Sequence, residues 1–200
     1  GSSFGSGPGG YYIIGDATIP NTKNDPNDAY DRSDIVLISG KTITTGVFNT
    51  SANFNTYVND LTDASVNLQQ NAYGVANTLV NFNEILLLDF TQDNFNKTPA
   101  NPVTNAEEFA GAIVNEVTIV TKHGGSDLTW VAYDDAGNAI GNGAFTSVAG
   151  GAEVLTALNN QPISYVAVHG EYGANTAIVV TSVGTLTNTG QADIVLEVVG

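Results

Sequence analysis

The densest chemistry in the chain lies between Asn24 and Asp34, which reads Asn-Asp-Pro-Asn-Asp-Ala-Tyr-Asp-Arg-Ser-Asp. Six of these eleven side chains are Asn or Asp, a dense set of hard oxygen donors, and calcium takes about six to eight such oxygens in forgiving geometry. Asp25, Asn27, Asp28, Asp31 and Asp34 are therefore candidate calcium ligands. The run has no Gly at the sixth position and no closing Glu, so it is not an EF-hand. The competing reading is a solvated acidic loop or a series of Asx turns. Electrostatics tilts the choice toward metal, because clustered carboxylates repel one another unless a cation sits among them. Asp60 with Asp63, Asp93 and Asn94 with Asn96, and Asp134 and Asp135 with Asn138 are smaller clusters of the same kind. Each is expected at a strand end or loop, where a plain turn explains it equally well.

Catalytic chemistry finds little to work with. His123 sits in a Lys-His-Gly-Gly stretch with no paired Glu or second His at zinc-ligand spacing, and His169 is the only other histidine. The chain lacks a P-loop. Glu84, Glu107, Glu108, Glu153, Glu171 and Glu197 could supply a glycosidase pair, but none stands in a recognisable catalytic context. The expectation is a protein that is not an enzyme.

Charge narrows the partners. Asp and Glu number 20 against 5 Lys and Arg, a net charge of −15, and Arg32 is the sole arginine. Nucleic acid requires a basic footprint and is excluded, as is docking on an anionic membrane. Self-repulsion disfavours the compact state, and bound divalent cations would relieve it. There is no cysteine, which removes disulfides, thiolate zinc sites and thiol nucleophiles. With abundant Asn, Asp, Thr and Gly, this suits a bacterial surface protein stabilised by metal rather than by bridges. No apolar run approaches the roughly 20 residues that span a bilayer, and the start has no signal-peptide pattern. The expected setting is extracellular, as a domain excised from something longer and monomeric in isolation.

These residues must be positioned by strands. Gly1–Gly10 reads as a flexible leader, and the literal G-x-G-x-x-G at Gly5, Gly7 and Gly10 neither follows a strand nor opens a helix. From residue 11 to 200 the chain reads as a single domain of short β-rich runs separated by turn-forming clusters. The clearest runs are 35–39, 41–48, 85–90, 113–121, 128–133, 139–145, 163–169, 176–183 and 193–199. The spacing predicts an all-β fold, a calcium-bound β-sandwich or jelly roll. At most one or two short helices are expected, the best candidate at Asn105–Phe109, where Asn105 could cap and Glu108 stands in the capping-box position. Asp135-Ala136-Gly137-Asn138 predicts a hairpin turn. Trp130 and Tyr133, three apart, should point to opposite faces of a strand, so that only one meets the core. Tyr30, Tyr57, Tyr73 and Tyr172 stand beside Gly or acidic residues in expected loops and are candidates to flank a ligand.

Two stretches resemble a known family. Tyr73-Gly74-Val75-Ala76-Asn77 leading to Glu84-Ile85-Leu86-Leu87-Leu88-Asp89-Phe90, and Trp130-Val131-Ala132-Tyr133-Asp134-Asp135-Ala136-Gly137-Asn138, resemble motifs of ligand-binding β-sandwich domains in very large bacterial RTX adhesins. Ala76 and Asn83 stand where that pattern usually carries Gly. The resemblance implies a calcium-dependent adhesion module that grips a peptide or protein C-terminus on a host or neighbouring cell. A glycan-binding, lectin-like module and a calcium-rigidified spacer are the alternatives. It also implies Asn77, Glu84, Asp89, Asp134 and Asp135 as metal candidates, with Tyr73 and Asn77 near the ligand.

Overall fold

The computed structural model describes residues 11–13, 36–69, 72–91, 113–123, 127–146 and 150–186. Its strands, in chain order, are β1 Tyr11–Ile13, β2 Leu37–Thr42, β3 Thr62–Ala64, β4 Val66–Gln69, β5 Ala72–Val75, β6 Val80–Asn81 and β7 Glu84–Asp89. They continue with β8 Ile113–Thr121, β9 Leu128–Tyr133, β10 Ala139–Ala144, β11 Ala152–Thr156, β12 Tyr165–Gly170, β13 Asn175–Thr176 and β14 Ile178–Leu186. One sheet runs β11-β8-β14-β5-β4, with β1 also paired to β14. The second runs β10-β9-β12-β7-β2-β3, and β13 with β6 forms a two-stranded ribbon. Every pairing is antiparallel, and the fold is an all-β sandwich.

The alternation of side chains along a strand decides which layer each residue joins. On β7, Leu86 and Leu88 face the first sheet and meet Tyr73, Val117, Ile119, Ile178 and Val180 in the main core. Ile85 and Leu87 point the other way, into a second core with Val131, Tyr133 and Ala167. That outer face is closed by the chain between β2 and β3, which contributes Ile43, Phe48, Phe54 and Val58. Burying each of these four stabilises the arrangement by roughly 1.5–3 kcal/mol.

The second core corrects two expectations. The run 41–48 is strand only as far as Thr42, and Gly46 then takes a left-handed φ of 85°. Its apolar residues pack over a sheet rather than extending one. Trp130 and Tyr133 do face opposite ways, but both find a core: Trp130 packs against the main cluster and Tyr133 lies in the second, because this sheet is covered on both faces.

Gly40 lets β2 run unbroken where two strands were expected, since a Cβ there would meet the Ala64 carbonyl at 2.8 Å. Strands β3, β4, β5 and β11 were not foreseen; they are short and held by pairing, β3 to β2, β11 to β8, β5 to β14 and β4 to β5. Helical structure among the described residues is limited to one π-type turn, Phe54–Val58, and a 3-10 turn, Leu158–Asn160. The expected helix at Asn105–Phe109, the run 193–199 and the leader 1–10 lie outside the described residues.

Candidate functional site

Strand register sorts the candidate residues to two ends of the second sheet. Leu37, Asp89, Tyr165, Tyr133 and Ala139 stand side by side across β2, β7, β12, β9 and β10. Asp134 and Asp135 follow Tyr133 in the turn, so this is the acidic end. Thr42, Glu84, His169 and Thr129 belong to the opposite end, where Gly170 pairs with Leu128.

At the acidic end Asp89 and Asp134 are engaged locally. Asp89 Oδ1 accepts from the Thr91 amide at 2.8 Å and from the Thr91 hydroxyl at 2.6 Å. Asp134 Oδ1 accepts from the Asn138 amide at 2.8 Å and its Oδ2 from Asn138 Nδ2 at 3.2 Å. The expected hairpin is there, with Gly137 at a φ of 85° and its amide donating to the Asp134 carbonyl at 3.0 Å. Asn53 and Asn55 both donate from Nδ2 to the Ala136 carbonyl, at 3.1 and 3.2 Å, and clamp this turn to the Phe54–Val58 helix. Asp135 is exposed on the turn. Asp25, Asn27, Asp28, Asp31 and Asp34 lie outside the described residues; in sequence they come just before Val36 and β2.

At the opposite end Asn77 and Glu84 are brought together. Asn77 Oδ1 accepts from the Leu79 amide at 2.8 Å and from Asn81 Nδ2 at 3.2 Å. Glu84 Oε1 accepts from the Asn81 amide at 2.8 Å and from its Nδ2 at 3.3 Å. The Asn81 side-chain amide thus stands where a cation shared by the two oxygens would sit. Among the described residues no three His, Asp or Glu converge on a common point. Asn77, Glu84, Asp89 and Asp134 each cap a turn through these bonds.

Tyr73 is corrected outright. It lies in β5, is 3% exposed, and belongs to the main core, because strand alternation turns its ring inward. It is on a strand and not on the expected loop. Tyr57 packs over Phe48 with its hydroxyl accepting from the Asn49 amide at 3.0 Å.

The same end carries a cleft, with the foreseen Tyr172 and the unforeseen Phe82 beside it. A cleft of about 190 Å³ is lined by His123, Asp127, Leu128, Gly173, Ala174, Asn175 and Thr176. Its floor is fixed by Thr176, 2% exposed, whose hydroxyl accepts from the His123 amide at 2.9 Å. Its wall is the turn after β12, where the Glu171 amide donates to the Asp127 carbonyl at 2.8 Å and the Ala174 amide to the Glu171 carbonyl at 2.9 Å. Tyr172, next in the chain to the lining Gly173, is 84% exposed and meets Phe82, 51% exposed, edge to face with ring centres 5.8 Å apart. Phe82 follows Asn81, whose partner across the ribbon is the lining Asn175. The readable signal was Phe82 itself, an apolar ring set between two asparagines in a turn.

Nearby, His169 is 1% exposed and stacks on Phe48 with ring centres 4.7 Å apart. Its Nδ1 lies 3.4 Å from Glu171 Oε1 and 3.5 Å from Thr129 Oγ1, and its Nε2 lies 3.4 Å from Asn83 Oδ1. Burial pushes the imidazole pKa down, and Glu171 opposes that in part. Thr129 and Glu171 approach the same nitrogen, whereas a catalytic base needs its nucleophile and its orienting carboxylate on different ones. In the second core, burial pushes the Tyr133 hydroxyl pKa up, with Tyr57 adding to the effect.

No known family model matches the chain, and comparison with curated proteins finds no match.

Proposed function

We propose that this chain is a non-catalytic, calcium-dependent adhesion module of a bacterial cell surface, taking its ligand at the end of the sandwich that bears the cleft. The observation that carries the reading is the exposed Phe82–Tyr172 pair next to a polar cleft. The resemblance to RTX adhesin domains supports it through backbone conformation. Ala76 and Asn83, which replace the glycines of that pattern, both adopt left-handed φ, 63° and 60°, the conformation glycine adopts freely.

In this reading the oxygens of Asp25, Asn27, Asp28, Asp31 and Asp34 hold calcium and offset the repulsion of a chain at −15. A peptide or protein C-terminus is the first ligand class. Among the described residues the cleft lining contains Asp127 and no Lys or Arg, so a terminal carboxylate would need a bound cation beside it. A glycan is the second class, favoured by the same lining because hydroxyls bond to carboxylate and amide groups without a metal. Biosensor binding of Gly-Gly-Gly and of its C-terminal amide, each in calcium and in EGTA, tests the first. The expected result is binding of the free acid alone, lost in EGTA; equal binding of acid and amide would remove the carboxylate reading.

A further inference from the structure

We infer that Phe82 and Tyr172, together with Asp127, His123 and Asn175, form a carbohydrate-binding platform that needs no metal ion at the point of contact. The inference rests on the ligand-binding reading above and goes beyond it by naming the residues and the ligand class.

Aromatic side chains dominate contact energetics because they bury large apolar area at little conformational cost, so an exposed, mutually ordered pair is costly to leave in water. Phe82 and Tyr172 are such a pair, and they come from the two turns that the β6–β13 ribbon holds together. Their edge-to-face packing leaves ring face available to the axial C–H groups of a sugar. Asp127 accepts hydrogen bonds, Asn175 donates and accepts, and His123 can do either. These are the complements of vicinal hydroxyls.

Size and charge argue the same way. At about 190 Å³ the cleft is smaller than the roughly 300 Å³ at which pockets for drug-sized ligands begin. It suits one ring, with the rest of a chain running out past Tyr172. Without a bound cation, a net charge of −15 and the Asp127 carboxylate disfavour phosphate and carboxylate ligands. A neutral polyol meets no such barrier.

The test is amide NMR of the isotopically labelled chain, titrated with the methyl glycosides of glucose, galactose, mannose, fucose and N-acetylglucosamine, and with lactose and maltose. At least one sugar should shift Gly173, Ala174 and Asn175. Tyr172→Ala and Phe82→Ala should each weaken that titration about tenfold with unchanged melting temperature, since both rings are exposed. Failure of every sugar to shift these amides overturns the proposal, and so does a titration that survives both substitutions. Gly-Gly-Gly in calcium is the control. If it alone shifts the same amides, the sugar platform falls while the adhesion reading stands; if neither probe shifts them, both fall.

Discussion

The two ends of the second sheet use the same residue types to opposite effect. At the acidic end Asp89 and Asp134 spend their oxygens on the next few amides, and the turn is tied down from outside by Asn53 and Asn55. At the other end Asn77, Asn81 and Glu84 knit two successive turns to each other. That self-contained network leaves Phe82 projecting from its middle. Acidic and amide side chains are thus closing turns at both ends, and among the described residues the cleft with aromatic rings at its mouth lies at the second of them. A cluster of oxygens in sequence says that a turn is present, whereas a binding surface also requires something left over after the turn has closed.

The comparison breaks most easily at Gly74. A Cβ there would meet the Leu79 amide nitrogen at 2.3 Å and the Asn77 carbonyl oxygen at 2.4 Å, so the turn cannot close around any other residue. Gly74→Ala should cost about 3 kcal/mol in urea unfolding; an unchanged midpoint would mean that the turn relaxes freely. Calcium tests the Asn24–Asp34 run. One site at a hundredfold excess over its dissociation constant adds about 2.7 kcal/mol, so calcium should raise the melting temperature of the wild-type chain. Asp28→Asn with Asp31→Asn should abolish that rise and Glu84→Gln should preserve it; the reverse pattern would move the metal to the cleft end.

A smaller effect sharpens the account of the turns. Ala76 holds a φ of 63°, a conformation that costs an L-residue about 1–2 kcal/mol. Ala76→Gly should therefore stabilise by up to about 1 kcal/mol, part of the gain being lost to glycine's freedom in the unfolded chain. A loss of stability would show that the strain is not there. Smallest is the effect of pH. The His169 pKa is lowered in the folded state, so as pH falls through the ordinary value of about 6.5 the unfolded chain takes up its proton first. The contribution of neutral His169 is complete above that value and declines below it. Denaturation midpoints at pH 7.5 and 5.5 should differ in that direction, and His169→Asn should lessen the difference.

Much of the architecture was readable from period and punctuation. Ile85 to Phe90 and Leu128 to Tyr133 announced themselves as buried strands, and Asp135 to Asn138 as the turn between β9 and β10. Short strands such as β4, with Asn67 beside Leu68, carry no pattern strong enough to read; they exist because a neighbouring strand offers its edge. The site was less legible for a related reason. His169 and Glu171 are two residues apart, and that spacing hints at a shared strand face, but Asp127, Asn175 and Phe82 come from three distant parts of the chain. No local pattern links them.

By itself the sequence determined the chemistry available: strand-forming runs, an excess of negative charge, oxygen-rich turns, and no thiol. Those follow from composition and local spacing, which act over a few residues. Only the tertiary structure decided that one sheet is covered on both faces, that Tyr73 turns inward, and that Tyr172 and Phe82 meet beside a cleft. Such outcomes depend on which strand lies next to which, and strand order is settled by cooperative burial across the whole sandwich.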